Sequence, residues 1–216
     1  MRESDLIAGL DQQQLDNFVD YVLSEDLGSG DVTSRVSVPA SARFSAVLAA
    51  RQPIVVAGLQ LAAAFFGKLD PEVAIEFLVQ DGDNVAAGQP LMRIAGSAQL
   101  MLAAERSALN TLQHLTGIAT VTRSYAEAIA GTDCVLLDTR KTIPGLRAIE
   151  KYAAKVGGAR NHRMRLDDGI LIKDNHIAAA GSIVEAVKAA KAANTGLEVQ
   201  VEVDGIEQIE PALMAG

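Results

Sequence analysis

From about residue 132 onward, apolar stretches of strand length alternate with helical patterns, and this alternation constrains the fold more than any other feature. Strands are predicted at CVLLDT, GILIKDNHI and LEVQVEVD, with a shorter one at GGAR. The three longer strands end near Thr139, Lys173 and Glu202, about thirty residues apart. Helices are predicted at GLRAIEKYAAKVGG, SIVEAVKAAKAANTG and GIEQIEPALMAG. This spacing is that of βα units, in which helices cover a parallel sheet.

The first hundred residues follow a different pattern. LDNFVDYVLSEDLG predicts a helix that ends at Gly28, and GSGDVTS predicts a loop. Short strands separated by Gly, Pro and Asp are predicted within ARFSAVLAARQPIVVAG, VAIEFLVQDGDNV and QPLMRIAG, with a short helix at LAAAFFGKL. A long helical pattern follows from about Ala98, with a break expected at Gly117.

We therefore predict an α/β protein with two domains. Residues 1–111 form an N-terminal α+β, sandwich-like domain with a bridging helix, and residues 112–216 form a βα barrel that carries the catalytic residues. About a hundred residues hold three to four βα units, whereas a closed eight-stranded barrel takes about 250 residues. The barrel is therefore expected to be incomplete at its C-terminus.

Charge and composition exclude several classes of protein. The formal net charge of −8 argues against general attraction to nucleic acids or membranes. No stretch approaches the roughly 20 apolar residues of a membrane span, and the N-terminal sequence is too polar for a secretory signal. The one cysteine, Cys134, lies in an apolar run and is expected to be a buried structural thiol. We expect a cytoplasmic protein.

A cationic stretch interrupts this acidic chain. Between Arg140 and Lys173, nine Lys and Arg side chains accompany only three acidic ones. In a βα barrel the carboxyl ends of the strands meet at the active-site mouth. A cationic mouth suits a small ligand with several negative charges, because Arg grips carboxylates or phosphates through a planar fork and Lys adds a point charge. The charged residues at predicted strand ends are Arg140, Lys141, His162, Arg163, Lys173, Asp174, Glu202 and Asp204.

Other polar residues have simpler interpretations. Arg147, Lys151 and Lys155 recur at helical spacing and are expected to form a solvated helix face. His114 is expected to be structural, whereas His176 could be a packed residue or a ligand. The sequence has no phosphate-binding glycine motif and no metal-spaced His or Cys cluster. Any metal is therefore expected to be Mg²⁺ brought by a phosphorylated substrate.

Several of these stretches resemble the quinolinate phosphoribosyltransferase family, a type II phosphoribosyltransferase family. They are EDLGSGDVTS, ERSALNTLQHLTGIAT, DTRKTIPGLRAIEKYAAKVGG, NHRMRLDDGILIKDNHI and VEVD, and they occur in the family's order over nearly the whole chain. The resemblance implies transfer of a phosphoribosyl group from 5-phosphoribosyl 1-diphosphate to quinolinate with decarboxylation. The products are nicotinate mononucleotide, CO2 and diphosphate, and the pathway is NAD biosynthesis. Both substrates are polyanions.

The resemblance also implies the residues that bind the quinolinate carboxylates. Arg140, His162 and Arg163 would contact them, and Thr139 belongs to the same substrate-binding set. Arg106 would reach into the site of a partner subunit, because the family forms homodimers with composite sites.

Lys141, Lys173 and Glu202 are the implied catalytic residues. The two lysines would face the phosphoribosyl diphosphate or bridge the two ligands. Glu202 would meet the ribose hydroxyls or their Mg²⁺. Gln200 stands where many relatives carry another acid, and this departure leaves Glu202 in place.

Two alternatives remain open from the sequence. One is a related phosphoribosyltransferase that acts without decarboxylation, and the other is an inactive anion-binding fragment. The family normally continues past residue 216, with another acidic residue and the loops that bind the ribose 5-phosphate. We therefore expect the 216 residues alone to be inactive or poorly soluble.

Overall fold

The computed structural model describes residues 7–216, so the first six residues of the N-terminal stretch considered above lie outside it. The chain divides into two compact units, the first ending at His162 and the second comprising Arg163–Gly216. Residues 111 and 112, on either side of the predicted domain boundary, lie within one continuous helix.

The first unit contains two small antiparallel sheets and five helices within the described residues. Its helices are α1 (Gln12–Leu27), α2 (Val32–Ser37), α3 (Leu59–Leu69), α4 (Ala98–Ala128) and α5 (Arg147–Gly157). Its strands are β1 (Arg43–Ala49), β2 (Ile54–Val55), β3 (Ala74–Phe77), β4 (Asn84–Val85) and β5 (Pro90–Ser97). The predicted helices at α1 and α3 and the predicted strands are thus confirmed.

The core of the first unit lies between the helices and the larger sheet. That sheet has the strand order β1-β5-β3, and β2 pairs with β4. Phe65 of α3 is fully buried and meets Phe18 of α1 edge-on, with ring centroids 6.2 Å apart. Met92 and Ile94 of β5 point into the same core. Burial of such side chains contributes about 1.5–3 kcal/mol each.

α4 and α5 approach each other closely at Gly157. A Cβ at this position would lie 2.5 Å from the Cβ of Thr122 and 2.6 Å from the carbonyl oxygen of Ala119. The guanidinium of Arg123 donates to the carbonyl oxygens of Gly157 and Val156, at 3.0 and 3.1 Å. Arg123 therefore satisfies carbonyls that the end of α5 leaves unpaired.

The second unit is a small βα arrangement. It comprises β6 (Ile170–Ile172), α6 (Asp174–Ala180), α7 (Ile183–Ala192), β7 (Val199–Val201), a 3₁₀ turn (Ile206–Gln208) and α8 (Ile209–Met214). β6 and β7 are parallel, as βα units require. Ile172, Ile183 and Val187 form the centre of its core. Among the described residues no sheet closes, and the predicted barrel is not confirmed.

Four sequence-based predictions about local structure are wrong. α4 continues through Gly117, because the helical cost of glycine is only about 1 kcal/mol and Leu115 and Ala119 pack on either side. Part of the predicted GSGDVTS loop is helical, since Asp31 caps α2 by accepting the Ser34 N–H at 2.9 Å. The strand predicted at GILIKDNHI stops at Ile172, and GGAR contributes only a single bridge.

The predicted buried strand CVLLDT is also wrong. Only Leu137 pairs, in a parallel bridge with Arg160. Val135 is 61% exposed and Cys134 is an exposed free thiol. Strand pairing depends on partners that a local apolar run does not reveal.

Among residues 7–216, no helix combines the length and the apolarity needed to cross a bilayer.

Candidate active site

The candidate site in the first unit begins where the chain passes the bridge between Leu137 and Arg160. Arg160 donates its N–H to the carbonyl oxygen of Leu136 at 2.8 Å, and Asp138 donates its N–H to the carbonyl oxygen of Arg160 at 3.1 Å. This parallel pairing sets the TRK segment, residues 139–141, beside Asn161 and His162. Two regions that the sequence separates by about twenty residues therefore meet at a single bridge.

A buried ion pair holds this junction together. Lys151 Nζ forms a short contact with Asp138 Oδ1 and donates to the carbonyl oxygen of His162 at 3.0 Å. Asp138 Oδ1 also accepts the His162 N–H at 2.8 Å, and Oδ2 accepts Asn161 Nδ2 at 2.6 Å. The side chains of Lys151 and Asp138 are only 2% and 6% exposed. The expectation that Lys151 lies on a solvated face is thus wrong, because α5 turns this residue toward Asp138.

The loop from Thr139 to Arg147 folds back on itself. Lys141 donates its N–H to Thr139 Oγ1 at 3.2 Å. Arg147 Nε donates to Thr142 Oγ1, also at 3.2 Å. Arg140 Nε is buried and has no hydrogen-bond partner within residues 7–216. A buried guanidinium donor left without a partner is the donor that an anionic ligand would satisfy.

Glu150 fixes the middle of the same loop. Its Oε2 accepts the Ile143 N–H at 3.1 Å, and its Oε1 lies 2.9 Å from His114 Nε2. Glu150 is 8% exposed. His114 on α4 thus supports the loop through Glu150, in agreement with the structural role expected for it.

In the second unit, Lys173 and Glu202 follow the two paired strands. Lys173 Nζ donates to Glu202 Oε2 at 2.5 Å, and Glu202 donates its N–H to the carbonyl oxygen of Ile172 at 2.8 Å. Their side chains are 35% and 56% exposed, so a ligand can reach both. His176 accepts the Lys173 N–H through Nδ1 at 3.0 Å. His176 is therefore placed at the start of α6, where it holds the backbone of Lys173.

Arg163 begins a compact turn that Asp168 closes. Arg163 Nη1 donates to the carbonyl oxygen of Gly169 at 2.9 Å, whereas its Nε is buried without a partner in the described part of the chain. Asp168 accepts the N–H groups of Met164 and Arg165 at 2.7 and 3.0 Å. Burial alone would raise the pKa of Asp168, but these backbone donors outweigh it and lower the pKa.

Arg106 lies apart from the residues of the TRK segment. It is exposed on α4 and lines a cavity of about 880 Å³ beside β1 and β5. Phe44 and Val47 of β1 are 47% and 55% exposed in this wall, and Val121 of α4 is 58% exposed. The cavity wall therefore combines exposed apolar side chains with the charged residues Arg51, Glu105 and Arg106.

The structure thus brings Thr139, Arg140, Lys141 and His162 together in the first unit, and Lys173 and Glu202 in the second. Sequence reasoning missed Asp138, Lys151 and Asn161. One signal for them was available, since Asp138 is an acid that ends an apolar run directly before two cations. Within residues 7–216 there is no cluster of three or more His, Cys, Asp or Glu side chains able to hold a metal ion.

Comparison with known proteins decides the family. Residues 31–116 match the N-terminal domain of quinolinate phosphoribosyl transferase, and residues 118–216 match its C-terminal domain. The chain belongs to the quinolinate phosphoribosyl transferase family. The resemblance stated from the sequence is confirmed.

Individual members of the quinolinate phosphoribosyl transferase family agree with this assignment. The carboxylating nicotinate-nucleotide pyrophosphorylase of Mycobacterium leprae is 44% identical over 197 residues, which cover 88% of this chain and 68% of the relative. A chloroplastic enzyme of the same name from Arabidopsis thaliana is 42% identical over 90% of this chain and 57% of its own length. The crystal structure of NadC from Streptococcus pyogenes matches with a TM-score of 0.90 and 40% identity, over 96% of this chain and 74% of that one.

Proposed function

We propose that this chain transfers the phosphoribosyl group of 5-phosphoribosyl 1-diphosphate to quinolinate, with decarboxylation to nicotinate mononucleotide. The observation that carries the proposal is that the TRK segment meets His162 in a chain whose residues 31–116 and 118–216 match the two family domains. Curated relatives at about 40% identity are named for this reaction. The reaction belongs to the de novo synthesis of NAD.

The first unit supplies the binding chemistry for a dicarboxylate. Arg140 presents a buried Nε that has no partner among residues 7–216, and Lys141 is exposed beside it. Thr139 and His162 lie at the same junction. Within the second unit, Arg163 has a buried Nε that likewise finds no partner in the described part of the chain. Each such donor forms a charge-assisted bond with a carboxylate, and planar recognition by Arg distinguishes quinolinate from neutral pyridines.

Lys173 and Glu202 would act at the phosphoribosyl group. Departure of diphosphate leaves positive character on the ribose carbon, and the pyridine nitrogen attacks there. The positive ring nitrogen stabilises the electron pair left on the neighbouring carbon when its carboxylate leaves as CO2, and that carbon then takes a proton from water. Lys173 would offset charge on the departing diphosphate, and Glu202 would hold the ribose hydroxyls. The protein mainly positions the reactants and neutralises charge.

Mg²⁺ would come with the diphosphate. Mg²⁺ is usually held by one or two carboxylates together with substrate phosphates and water. Glu202 fits this arrangement as one such carboxylate, because its side chain is 56% exposed. When bound, Mg²⁺ would reduce the negative charge on the leaving group.

We further propose a homodimer, with Arg106 delivered to the partner's site. The apolar wall formed by Phe44, Val47 and Val121 supports this, because exposed apolar patches of this kind mark association surfaces. A cation within such a wall is placed to reach an anion held by the other copy. A cytoplasmic location is consistent with the free thiol of Cys134.

The test is product formation by this chain. We would incubate it with carboxyl-labelled quinolinate, 5-phosphoribosyl 1-diphosphate and Mg²⁺, and measure CO2 and nicotinate mononucleotide together. Formation of both by wild type would support the proposed reaction and would contradict the expectation that these 216 residues alone are inactive. Arg140→Ala should abolish both products, whereas Arg160→Ala removes an exposed cation of the same stretch and should leave turnover unchanged. Turnover of nicotinate supplied in place of quinolinate would favour the non-decarboxylating alternative. Binding of quinolinate without turnover would favour an anion-binding fragment.

A further inference from the structure

α5 carries three consecutive polar residues that serve three different parts of the first unit. Each step along the helix turns the side chain by about 100°, so neighbours face different directions. Glu150 accepts the N–H of Ile143, and Tyr152 Oη donates to Asp81 Oδ2 at 2.7 Å. Lys151, between them, reaches Asp138 and the carbonyl oxygen of His162. α5 therefore connects the binding loop to the rest of the unit.

Lys151 and Asp138 form a closed set of contacts around His162. Lys151 Nζ donates to the His162 carbonyl oxygen, and Asp138 Oδ1 accepts the His162 N–H. Both backbone polar groups of His162 are thus held by one ion pair. Asn161 Nδ2 joins the set through Asp138 Oδ2 and through the Lys151 carbonyl oxygen at 2.9 Å.

The burial of this ion pair argues for a role in geometry. Burying two charges costs desolvation energy that their attraction only partly returns, so such a pair is weak evidence for stability. It is well suited to fix one arrangement, because either charge left alone in the interior is strongly unfavourable. Asp138 directly precedes the substrate-binding segment that starts at Thr139, so whatever fixes Asp138 also fixes that segment.

We infer that Asp138 and Lys151 are positioning residues that hold residues 139–141 and His162 at the separation needed to grip a pyridine dicarboxylate. The inference rests on the proposed function and goes beyond it, because neither side chain is exposed enough to bind substrate itself. The pair acts through the backbone of His162 and through the start of the TRK segment. The pair thereby sets the distance between residues 139–141 and His162, the two groups that would donate hydrogen bonds to the carboxylates of the ligand.

The test replaces the pair as a unit. Asp138→Leu/Lys151→Met removes both charges together, so neither is left buried alone, and apolar replacements of buried ion pairs are often neutral for stability. We expect a melting temperature near that of wild type. The Kd for quinolinate and the ratio kcat/KM should nonetheless worsen about 10²-fold, the effect of a displacement of about 1 Å in a binding site.

The matched control is Tyr152→Phe, which removes the contact with Asp81 from the next residue of the same helix. This variant should melt at a lower temperature and yet bind quinolinate with the wild-type Kd. If the paired variant also binds quinolinate with the wild-type Kd, the positioning role is refuted. The positioning role is also refuted if the affinity of the paired variant for quinolinate falls only as much as its unfolded fraction explains.

A readout without substrate separates this inference from the proposed function. Hydrogen exchange should accelerate in peptides that cover residues 139–143 and 160–162 of the paired variant, and stay unchanged there in Tyr152→Phe. A wild-type chain that fails to bind quinolinate would refute the proposed function, and the exchange result would still decide the positioning role. Unchanged exchange in the paired variant would refute that role.

Discussion

The lysine–carboxylate pair beside the TRK segment in the first unit and the pair that follows the strands of the second unit differ in burial and in the number of their partners. The side chains of Lys151 and Asp138 are 2% and 6% exposed, whereas those of Lys173 and Glu202 are 35% and 56% exposed. The buried pair has additional bonds to Asn161 and His162. The exposed pair is a single contact between side chains.

This difference in burial indicates different roles for the two pairs, a structural role for the buried pair and a ligand-binding role for the exposed pair. A buried pair with several bonds keeps one geometry, because breaking it strands a charge in the interior. An exposed pair contributes about 0–1 kcal/mol to stability, so Lys173 can leave Glu202 for a phosphate at little cost. We interpret the first pair as a fixed support within the first unit, and the second as a pair of the second unit that can change partners when a ligand binds.

The largest expected effect tests the fixed pair. Lys151→Ala should lower the free energy of unfolding by about 3–5 kcal/mol, because it leaves the charge of Asp138 buried without its partner. Urea denaturation of the variant and wild type measures this change. Lys188→Ala, at an exposed position of α7, should change it by less than about 0.5 kcal/mol. A loss below about 1 kcal/mol for Lys151→Ala would show that Asp138 is already well solvated.

The second prediction concerns the exposed pair. Lys173→Ala should reduce kcat by about 10²–10³-fold, the usual cost of losing one group that stabilises charge in the transition state. Its free energy of unfolding should change by no more than about 1 kcal/mol. Steady-state rates and urea denaturation on the same preparation give both numbers. Full activity in Lys173→Ala would remove Lys173 from the mechanism and weaken the contrast between the pairs.

The sequence revealed the elements with strong local signals. The helices α1, α3, α5 and α7 and the antiparallel strands of the first unit follow from residue periodicity, which neighbouring residues carry. The strand predicted at Cys134–Thr139 failed because pairing depends on distant residues, and only Leu137 finds a partner there. Closure of a barrel is likewise a property of the whole sheet.

The sequence predicted the cations of the candidate site, which remain predictions, and it did not indicate the residues that support them. Charged residues at strand ends pointed to Arg140, His162 and Lys173, because parallel strands deliver their carboxyl ends to one edge. Lys151 was placed on a solvated face by its spacing from Arg147. Its partner Asp138 lies 13 residues earlier, before α5 begins. The spacing of residues within α5 does not reveal which face of the helix contacts Asp138.

A third prediction tests whether α5 is held on more than one side. Tyr152→Phe should lower the free energy of unfolding by about 0.5–1.5 kcal/mol, since one hydrogen bond is lost. Asp81 keeps the N–H groups of Gly58 and Leu59 as donors, at 2.7 and 3.1 Å. This loss should be clearly smaller than that of Lys151→Ala. If urea denaturation gives equal losses of unfolding free energy for Tyr152→Phe and Lys151→Ala, removing one partner of the buried ion pair costs no more than removing an ordinary hydrogen bond.

The same tyrosine predicts a loss of stability at alkaline pH. Burial and the bond to Asp81 raise the pKa of Tyr152 far above its usual value. In the unfolded chain a tyrosine loses its proton near pH 10, whereas folded Tyr152 keeps it. The folded state then binds more protons, so stability is complete below about pH 10 and falls as the pH rises. Melting temperatures between pH 8 and 11 should fall less steeply in Tyr152→Phe.

The smallest expected effect concerns the turn of the second unit. Backbone donors lower the pKa of Asp168 despite the opposing effect of burial. Its contribution should therefore be complete above the unfolded pKa of about 3.9 and be lost as the pH falls through the lower folded value. Amide exchange at Met164 and Arg165, corrected for intrinsic rates, should accelerate below about pH 4.

Asp168→Asn supplies the control, because an amide oxygen still accepts the two N–H groups and does not titrate in this range. The acid-dependent acceleration should disappear in this variant. If it persists, a group other than Asp168 holds the turn. If amide exchange in wild type does not accelerate at low pH, the charge of Asp168 is not needed to hold the turn. The turn of the second unit would then be more rigid than the exposed pair of Lys173 and Glu202 in the same unit.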